Sequence, residues 1–146
     1  MNILLPFDGS QSANRALEYV MSIPRTGGKG ALTVDLINVQ DTAVGIPESF
    51  ARDAADVAEQ LVKSAREAGT KLLAKPIATL KKHKLLDGST VLVGDPASII
   101  AEYVEDNGCD AVIMGTRGLG PISGLVMGSV ASKVIHLVKV PVTLVK

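Results

Sequence analysis

Gly115, Gly118 and Gly128, the last followed at once by Ser129, are the residues of this chain whose types and spacing best suit chemistry. They belong to the stretch Gly115-Thr-Arg-Gly118-Leu-Gly120-Pro-Ile-Ser-Gly124-Leu-Val-Met-Gly128, which holds five of the 14 glycines. Glycine lets the backbone take positive φ and come close to a ligand. The short apolar run Asp110 to Met114 before the stretch reads as a buried strand, and the apolar-periodic segment Val130 to Val138 after it reads as a helix. So long a loop without its own secondary structure is uncommon in a compact domain and is usually functional or disordered. Ser129 stands where a helix N-cap is wanted. A strand, a glycine-rich loop and a helix N-terminus together form an anion site, because unpaired N–H groups and the helix dipole converge there. The spacing therefore predicts a phosphate cradle.

The named phosphate motifs do not describe it. A P-loop needs Gly-x4-Gly-Lys-Ser/Thr, and no Gly-Lys pair occurs in residues 115–130. A dinucleotide fingerprint needs Gly-x-Gly-x-x-Gly after the first strand, whereas Gly118-x-Gly120 has Ser123 at the third site and follows the fourth strand. What remains is Gly115-x2-Gly118-x9-Gly128-Ser129, directly between a strand and a helix. Beside it, Asp8 reads either as a ligand group or as the turn former of an ordinary Asp-Gly pair. Arg117 reads either as a phosphate partner or as a solvated loop arginine. His136 lies two turns into the last helix and reads as structural or surface. His83 belongs to the basic run Lys81-Lys82-His83-Lys84, read as a solvated helix face. Cys109 reads as a small buried hydrophobe. Fast phosphoryl transfer needs a cationic clamp, a metal site and a group that positions the nucleophile. Only Arg117 and Asp8 are candidates, so no catalytic residue is assigned.

The elements that position these residues follow from the apolar pattern. Ile3 to Phe7 reads as a strand, and a helix follows with Ala13, Ala16, Leu17, Val20 and Met21 on one face, stopping before Pro24. Gly27 and Gly28 make a turn, Leu32 to Val39 a second strand, and residues 41–49 a loop. A long helix runs from about Phe50 to Ala68 with Phe50, Ala54, Val57, Ala58, Leu61, Val62 and Ala65 as its buried stripe. Gly69 caps it or the helix runs on towards Leu73, and Pro76 breaks any continuous helix, leaving residues 70–88 the least readable part. Thr90 to Val93 is the third strand. Asp95-Pro96 opens a helix, Asp as N-cap and Pro at the first position, with Ile99, Ile100, Tyr103 and Val104 buried and Asn107-Gly108 at its end. Val142 to Val145 closes the chain as a fifth strand. Short apolar strands alternating with amphipathic helices imply an α/β doubly wound open sheet, parallel and covered on both faces. Ligands sit beyond the carboxyl ends of such strands where strand order reverses, so Asp8-Gly9, Val39 to Asp41 and the glycine stretch should converge.

Composition sets limits. A chain of 146 residues is most simply one domain, 1–146, with a core of useful size. Fifteen basic and fifteen acidic residues cancel, so no global field attracts nucleic acid or an anionic membrane. One cysteine makes no internal disulfide. No signal-length apolar segment stands at the start, and no apolar run reaches the ~18 residues of a spanning helix. A cytoplasmic protein with no nucleic-acid and no membrane partner is expected.

The spacing Gly115-x2-Gly118-x9-Gly128-Ser129 resembles the nucleotide-binding signature of the universal stress protein family, and the likeness extends over nearly the whole chain. The opening Ile-Leu-Leu-Pro-Phe-Asp8-Gly-Ser is similar to that family's first strand and turn aspartate, and Leu36-Ile-Asn-Val39 to its second-strand end. Val93-Gly94-Asp95-Pro96, Asp110-Ala-Val-Ile-Met-Gly115, Gly128-Ser129-Val130 and the tail Val140-Pro-Val-Thr-Leu-Val145 complete the pattern. Residues 70–88 form a longer link than is usual there. The resemblance implies a Rossmann-like, adenine nucleotide alpha hydrolase-like fold of five parallel strands in the order 3-2-1-4-5. It implies a site for ATP or another adenine nucleotide built from Asp8, Val39, Met114, Gly115, Arg117, Gly118, Gly128, Ser129 and Val130. Backbone N–H groups of Gly118, Ser129 and Val130 would hold phosphates, with the Ser129 hydroxyl as an added donor. Gly115 would lie against the ribose or first phosphate, main-chain groups at Val39 would recognise the adenine edge, and Asp8 would lie near the ribose or a bound Mg²⁺. With two Phe, two Tyr and no Trp, aromatic stacking is not the main source of adenine affinity. The resemblance also implies a homodimer in which strands 142–145 pair antiparallel, and a nucleotide-dependent sensor or regulator in the stress response. Two alternatives stand beside this: a slow ATPase or self-phosphorylating enzyme of the same fold, and a dimerisation module independent of nucleotide. The downstream protein partner is not readable.

Overall fold

The computed structural model describes residues 1–24, 32–41, 54–118 and 127–146. Its elements run β1 (Asn2–Pro6), α1 (Gln11–Ser22), β2 (Thr33–Gln40), α2 (Ala54–Lys82), β3 (Leu86–Val93), α3 (Pro96–Asn107), β4 (Ala111–Gly115), α4 (Ser129–Leu137) and β5 (Val142–Val145). All strand pairs are parallel, and the order across the sheet is β3-β2-β1-β4-β5. The doubly wound arrangement expected from the sequence is the one observed. The turn at Gly27-Gly28, the loop of residues 41–49 beyond Asp41, Phe50, Gly120 and Gly124 lie outside the described residues.

A strand covered on both faces needs apolar side chains pointing both ways, and Ile3, Leu4 and Leu5 of β1 supply them. Ile3 and Leu5 turn to one face, against Ala16, Val20, Leu73 and Leu80 of α1 and α2. Leu4 turns to the other, against Ile100, Val104, Ala131 and Val134 of α3 and α4. The two cores are separated by the sheet itself. Strand order reverses between β1 and β4, which pair directly through Ile3–Ala111 and Leu4–Val112. Their carboxyl ends therefore stand side by side while the connections leaving them diverge to opposite faces, which opens a crevice.

Three local expectations are corrected. Helix α2 does not stop at Pro76; it continues to Lys82 with Pro76 inside it. An interior proline costs about 3 kcal/mol through a lost hydrogen bond and a ring clash. Here Leu73 and Leu80 are buried to within 1% and Pro76 is buried between them, so packing on the sheet outweighs that cost. The buried stripe was expected in the first half of the helix, yet Val57 is 50% and Leu61 46% exposed. The stripe lies downstream instead, at Gly69, Leu73, Pro76 and Leu80. At 1.5 Å per residue a 29-residue helix is about 44 Å long, against about 26 Å for the eight-residue strands β2 and β3, so only part of it has sheet to cover. Strand β3, expected at Thr90 to Val93, begins at Leu86, because α2 ends four residues before it. No helix among the described residues is long and apolar enough to cross a membrane.

Candidate functional site

The crevice is built from the ends of β1 and β4 and the starts of α1 and α4. After β1 the chain turns through Gly9 at φ +81°, a left-handed conformation that suits glycine. Asp8 Oδ1 accepts the Ser10 N–H at 2.9 Å, and Ser10 Oγ accepts the Ala13 N–H at 3.1 Å as the N-cap of α1. The Asp8-Gly9-Ser10 turn is thus closed by its own side chains, which leaves Asp8 Oδ2 aimed elsewhere.

That oxygen meets the glycine stretch. A Cβ on Gly118 would lie 2.8 Å from Asp8 Oδ2, so a side chain there would push this carboxylate from its place. Gly115 is equally constrained, since a Cβ there would stand 2.8 Å from the Ala13 nitrogen. The Ser10 hydroxyl donates to the Arg117 carbonyl at 3.1 Å, and the Ser12 hydroxyl donates to the same oxygen. The start of α1 thereby grips the segment leaving β4.

The far end of the stretch returns to the near end. The Gly128 N–H donates to the Thr116 carbonyl at 2.7 Å, and the Thr116 N–H donates to Val145 at 2.8 Å. A Cβ on Gly128 would come within 3.4 Å of Arg117 Cα, a tight contact that glycine avoids. Gly128, not Ser129, is the N-cap of α4, which corrects the sequence expectation. Ser129 is the first helical residue, and no side chain caps the helix. The first-turn amides of α4 keep their hydrogen-bonding capacity and the positive end of the dipole. Helices α1 and α3 differ: Ser10 caps one, and Asp95 caps the other by accepting the Ser98 N–H at 3.0 Å. That amide bond, with the Ser98 hydroxyl and Lys133 adding to it, holds the Asp95 carboxyl below the usual carboxylate range. Lys133 Nζ of α4 stands 3.6 Å from Asp95 Oδ1, tying the starts of α3 and α4 together.

These elements enclose a cavity of about 660 Å³. All nine residues expected at the site line it: Asp8 from the β1 turn, Val39 from the end of β2, Met114, Gly115, Arg117 and Gly118 from β4 onwards, and Gly128, Ser129 and Val130 from the start of α4. Sequence reasoning did not assign Thr116, Ile100 or Ala131, which line it too. Ile100 and Ala131 carry the helical period of core residues, and nothing in that period says a core position also faces a ligand. Thr116 is buried to 5%, and its hydroxyl has no hydrogen-bond partner among the described residues. A threonine in the pair of residues bounded by Gly115 and Gly118 was the available signal. Arg117 is the one basic residue among the described lining residues, which also include the acidic Asp8 and Asp41. Among the described residues no group of three or more His, Cys, Asp or Glu side chains is arranged to hold a metal ion.

A parallel doubly wound sheet whose switch point carries a glycine-bounded, uncapped helix N-terminus defines a class of α/β domains that hold anionic ligands beyond the strand ends. Within that class the chain belongs to the universal stress protein family, which it matches over residues 1–146. It is 29% identical over 144 residues to a universal stress protein of Thermus aquaticus, covering 99% of this chain and 97% of that one. The solved structure of MJ0577 from Methanocaldococcus jannaschii superposes with a TM-score of 0.81 at 25% identity, covering 99% of this chain and 94% of that one. A family member from Arabidopsis thaliana, solved with AMP bound, superposes with a TM-score of 0.70 at 20% identity, covering 100% and 91%.

Proposed function

We propose that this chain, as one domain over 1–146, binds ATP or another adenine nucleotide at the switch point and acts as a homodimeric nucleotide-dependent sensor or regulator in the stress response. The observation that carries the reading is the junction of the two ends of the glycine stretch. The Gly128–Thr116 hydrogen bond of 2.7 Å brings Gly118 beside the uncapped start of α4, so the Gly118, Ser129 and Val130 amides share one wall. The cavity volume falls in the usual range for small-molecule sites, roughly 300–1,000 Å³. The AMP bound to the Arabidopsis relative supports the adenine class. In this reading Gly118, Ser129 and Val130 hold phosphates, Val39 and Met114 flank the base, and Gly115 and Asp8 lie by the ribose.

The residues fit a nucleotide better than free polyphosphate. The described lining holds one arginine and two carboxylates, Asp8 and Asp41, so Mg²⁺ arriving with ATP would supply the missing positive charge, with Asp8 as its protein neighbour. One arginine is also too small a clamp for fast phosphoryl transfer, and binding rather than catalysis is proposed. Occupancy is read out at residues 115–128, whose ends bracket the phosphates; a nucleotide shifts that surface only by binding one of its states more tightly.

Calorimetric titration with Mg-ATP, paired with a melting scan, tests this. The parent should bind, and Gly118→Val should not, because its side chain would collide with Asp8 Oδ2. A parent with neither heat nor a shift in Tm on adding Mg-ATP overturns the reading.

A further inference from the structure

We propose that the hydroxyls of Ser10 and Ser12 are positioning groups for the cavity: by holding the Arg117 carbonyl they aim the Gly118 N–H that would hold phosphate. The proposal rests on the nucleotide reading above, in which that amide is a ligand group. Both hydroxyls donate to the Arg117 carbonyl, Ser10 Oγ at 3.1 Å. A carbonyl oxygen has two lone pairs, so the two bonds fill it. Each hydroxyl is itself fixed in place. Ser10 Oγ accepts the Ala13 N–H at 3.1 Å as the cap of α1, and Ser12 Oγ accepts the Arg117 N–H at 3.4 Å. Ser12 thus holds Arg117 by both of its main-chain groups, and both serines are buried.

The Arg117 carbonyl and the Gly118 N–H belong to one planar peptide unit, and no cis bond occurs among the described residues. In a trans unit the two groups point in opposite directions. With its oxygen held to α1, the unit directs the Gly118 N–H away from α1. A Cβ on Gly128 would lie 3.7 Å from the Gly118 nitrogen, so the cap of α4 stands close to that donor. Glycine makes the clamp necessary. Gly118 has no side chain to restrict its φ, so without outside bonds the unit would be free to turn, and binding would have to order it. Ser12 is not among the described residues that line the cavity, so its influence on a ligand runs through this peptide unit.

The test titrates the parent, Ser12→Ala, Ser12→Thr and Ser10→Ala with Mg-ATP, AMP and adenosine. It also records the Gly118 amide in proton–nitrogen correlation spectra without ligand. Ser12→Ala should weaken ATP and AMP binding about fivefold, the scale of one hydrogen bond, leave adenosine unchanged and move the Gly118 resonance. Ser12→Thr keeps the hydroxyl and should restore parent affinity. Ser10→Ala should show the same selective loss with a lower Tm, because the α1 cap goes too; it carries the comparison if Ser12→Ala does not fold. A role in folding alone would lower Tm and leave the preference for phosphate-bearing ligands as it is. Equal ATP binding by the parent and Ser12→Ala, or an unmoved Gly118 resonance, overturns the proposal and leaves the nucleotide reading standing. So does an equal loss for adenosine and ATP, or a Ser12→Thr protein as weak as Ser12→Ala, which assigns the loss to packing. A parent that binds none of the three ligands overturns both.

Discussion

Cys109 lies at the amino end of β4, opposite the cavity, and is 4% exposed. Burial, helped by the negative charges of Asp35 and Asp110, pushes its thiol up to about 11 from 9.0. The thiolate is the reactive form, so at pH 8 the native thiol holds roughly a hundredth of the thiolate of an unperturbed one. Alkylation by iodoacetamide at pH 8, followed by mass spectrometry, should therefore be slow in the native protein and fast in the urea-unfolded chain. The same displacement has a definite sign for stability. Between pH of about 9 and about 11 the unfolded chain has released this proton and the native state still holds it, so stability falls across that window. Replacing Cys109 with alanine should flatten that alkaline fall in Tm. The neighbouring Asp35 is also buried and accepts a hydrogen bond from Asn2 Nδ2 at 2.9 Å. Its carboxylate finds room because a register shift follows Val34 and sets Gly88, which has no side chain, opposite it. Reading Cys109 as a small buried hydrophobe needed only its residue type and position. Asp110 is its neighbour in sequence, whereas seeing that Asp35 also acts on it needed the strands assembled.

At the scale of elements, α2 shows how packing overrules propensity. Glycine in a helix interior costs about 1 kcal/mol relative to alanine, so Gly69 looks like a site for improvement. A Cβ there would lie 2.5 Å from Val91 Cγ1 and 2.6 Å from Asn38 Oδ1. Asn38 cannot yield easily, because it is buried, donates to the Phe7 carbonyl at 2.8 Å and accepts from Gln40 at 2.6 Å. Overpacking of this kind costs about 1–3 kcal/mol, more than the propensity gain. Gly69→Ala should accordingly lower stability in urea unfolding; a higher midpoint would mean the helix can lift from the sheet without cost. The helix ends at Lys82 and the chain turns away at Lys84, a non-glycine residue with φ 55°, with the Leu85 N–H returning to the Leu80 carbonyl at 3.0 Å. This end-capping geometry usually employs glycine. The sequence carries no sign of it, which is why residues 70–88 resisted reading.

At the scale of the molecule, β5 is one edge of the sheet. An apolar edge invites pairing with another chain, and Ile135 and Leu137 of the preceding helix are also exposed, at 37% and 49%. The register decides how the proposed dimer should be tested. Pro141 and Val145 carbonyls accept bonds from Val112 and Thr116, so odd-numbered residues of this strand face β4. Alternation then aims the N–H groups of Val142 and Leu144 outwards. A proline at Thr143 would break the sheet internally, whereas Val142→Pro removes an outward donor and keeps the β4 pairing. In sedimentation velocity the parent should run as a dimer and Val142→Pro as a monomer with its circular dichroism preserved. A monomeric parent, or a variant that remains dimeric, would count against pairing through this strand.

Local chemistry was legible along the chain wherever neighbours in sequence decide the outcome. The apolar runs of β1 and β4, the Asp95-Pro96 start of α3 and the spacing of Gly115, Gly118 and Gly128 depend on periodicity, capping and backbone freedom, which act over a few residues. From these the sequence determined the α/β class and the residues that meet in the cavity. The tertiary structure decided what depends on groups far apart in sequence. It carried α2 through Pro76, because buried leucines on the sheet outweigh a local break. It made Gly69 a contact residue rather than a cap, because β2 and β3 come up beneath it. It moved the α4 cap from Ser129 to Gly128, because the Gly128 amide reaches back to Thr116. It left the Thr116 hydroxyl without a partner among the described residues, since whether a buried donor is satisfied depends on every surrounding element at once.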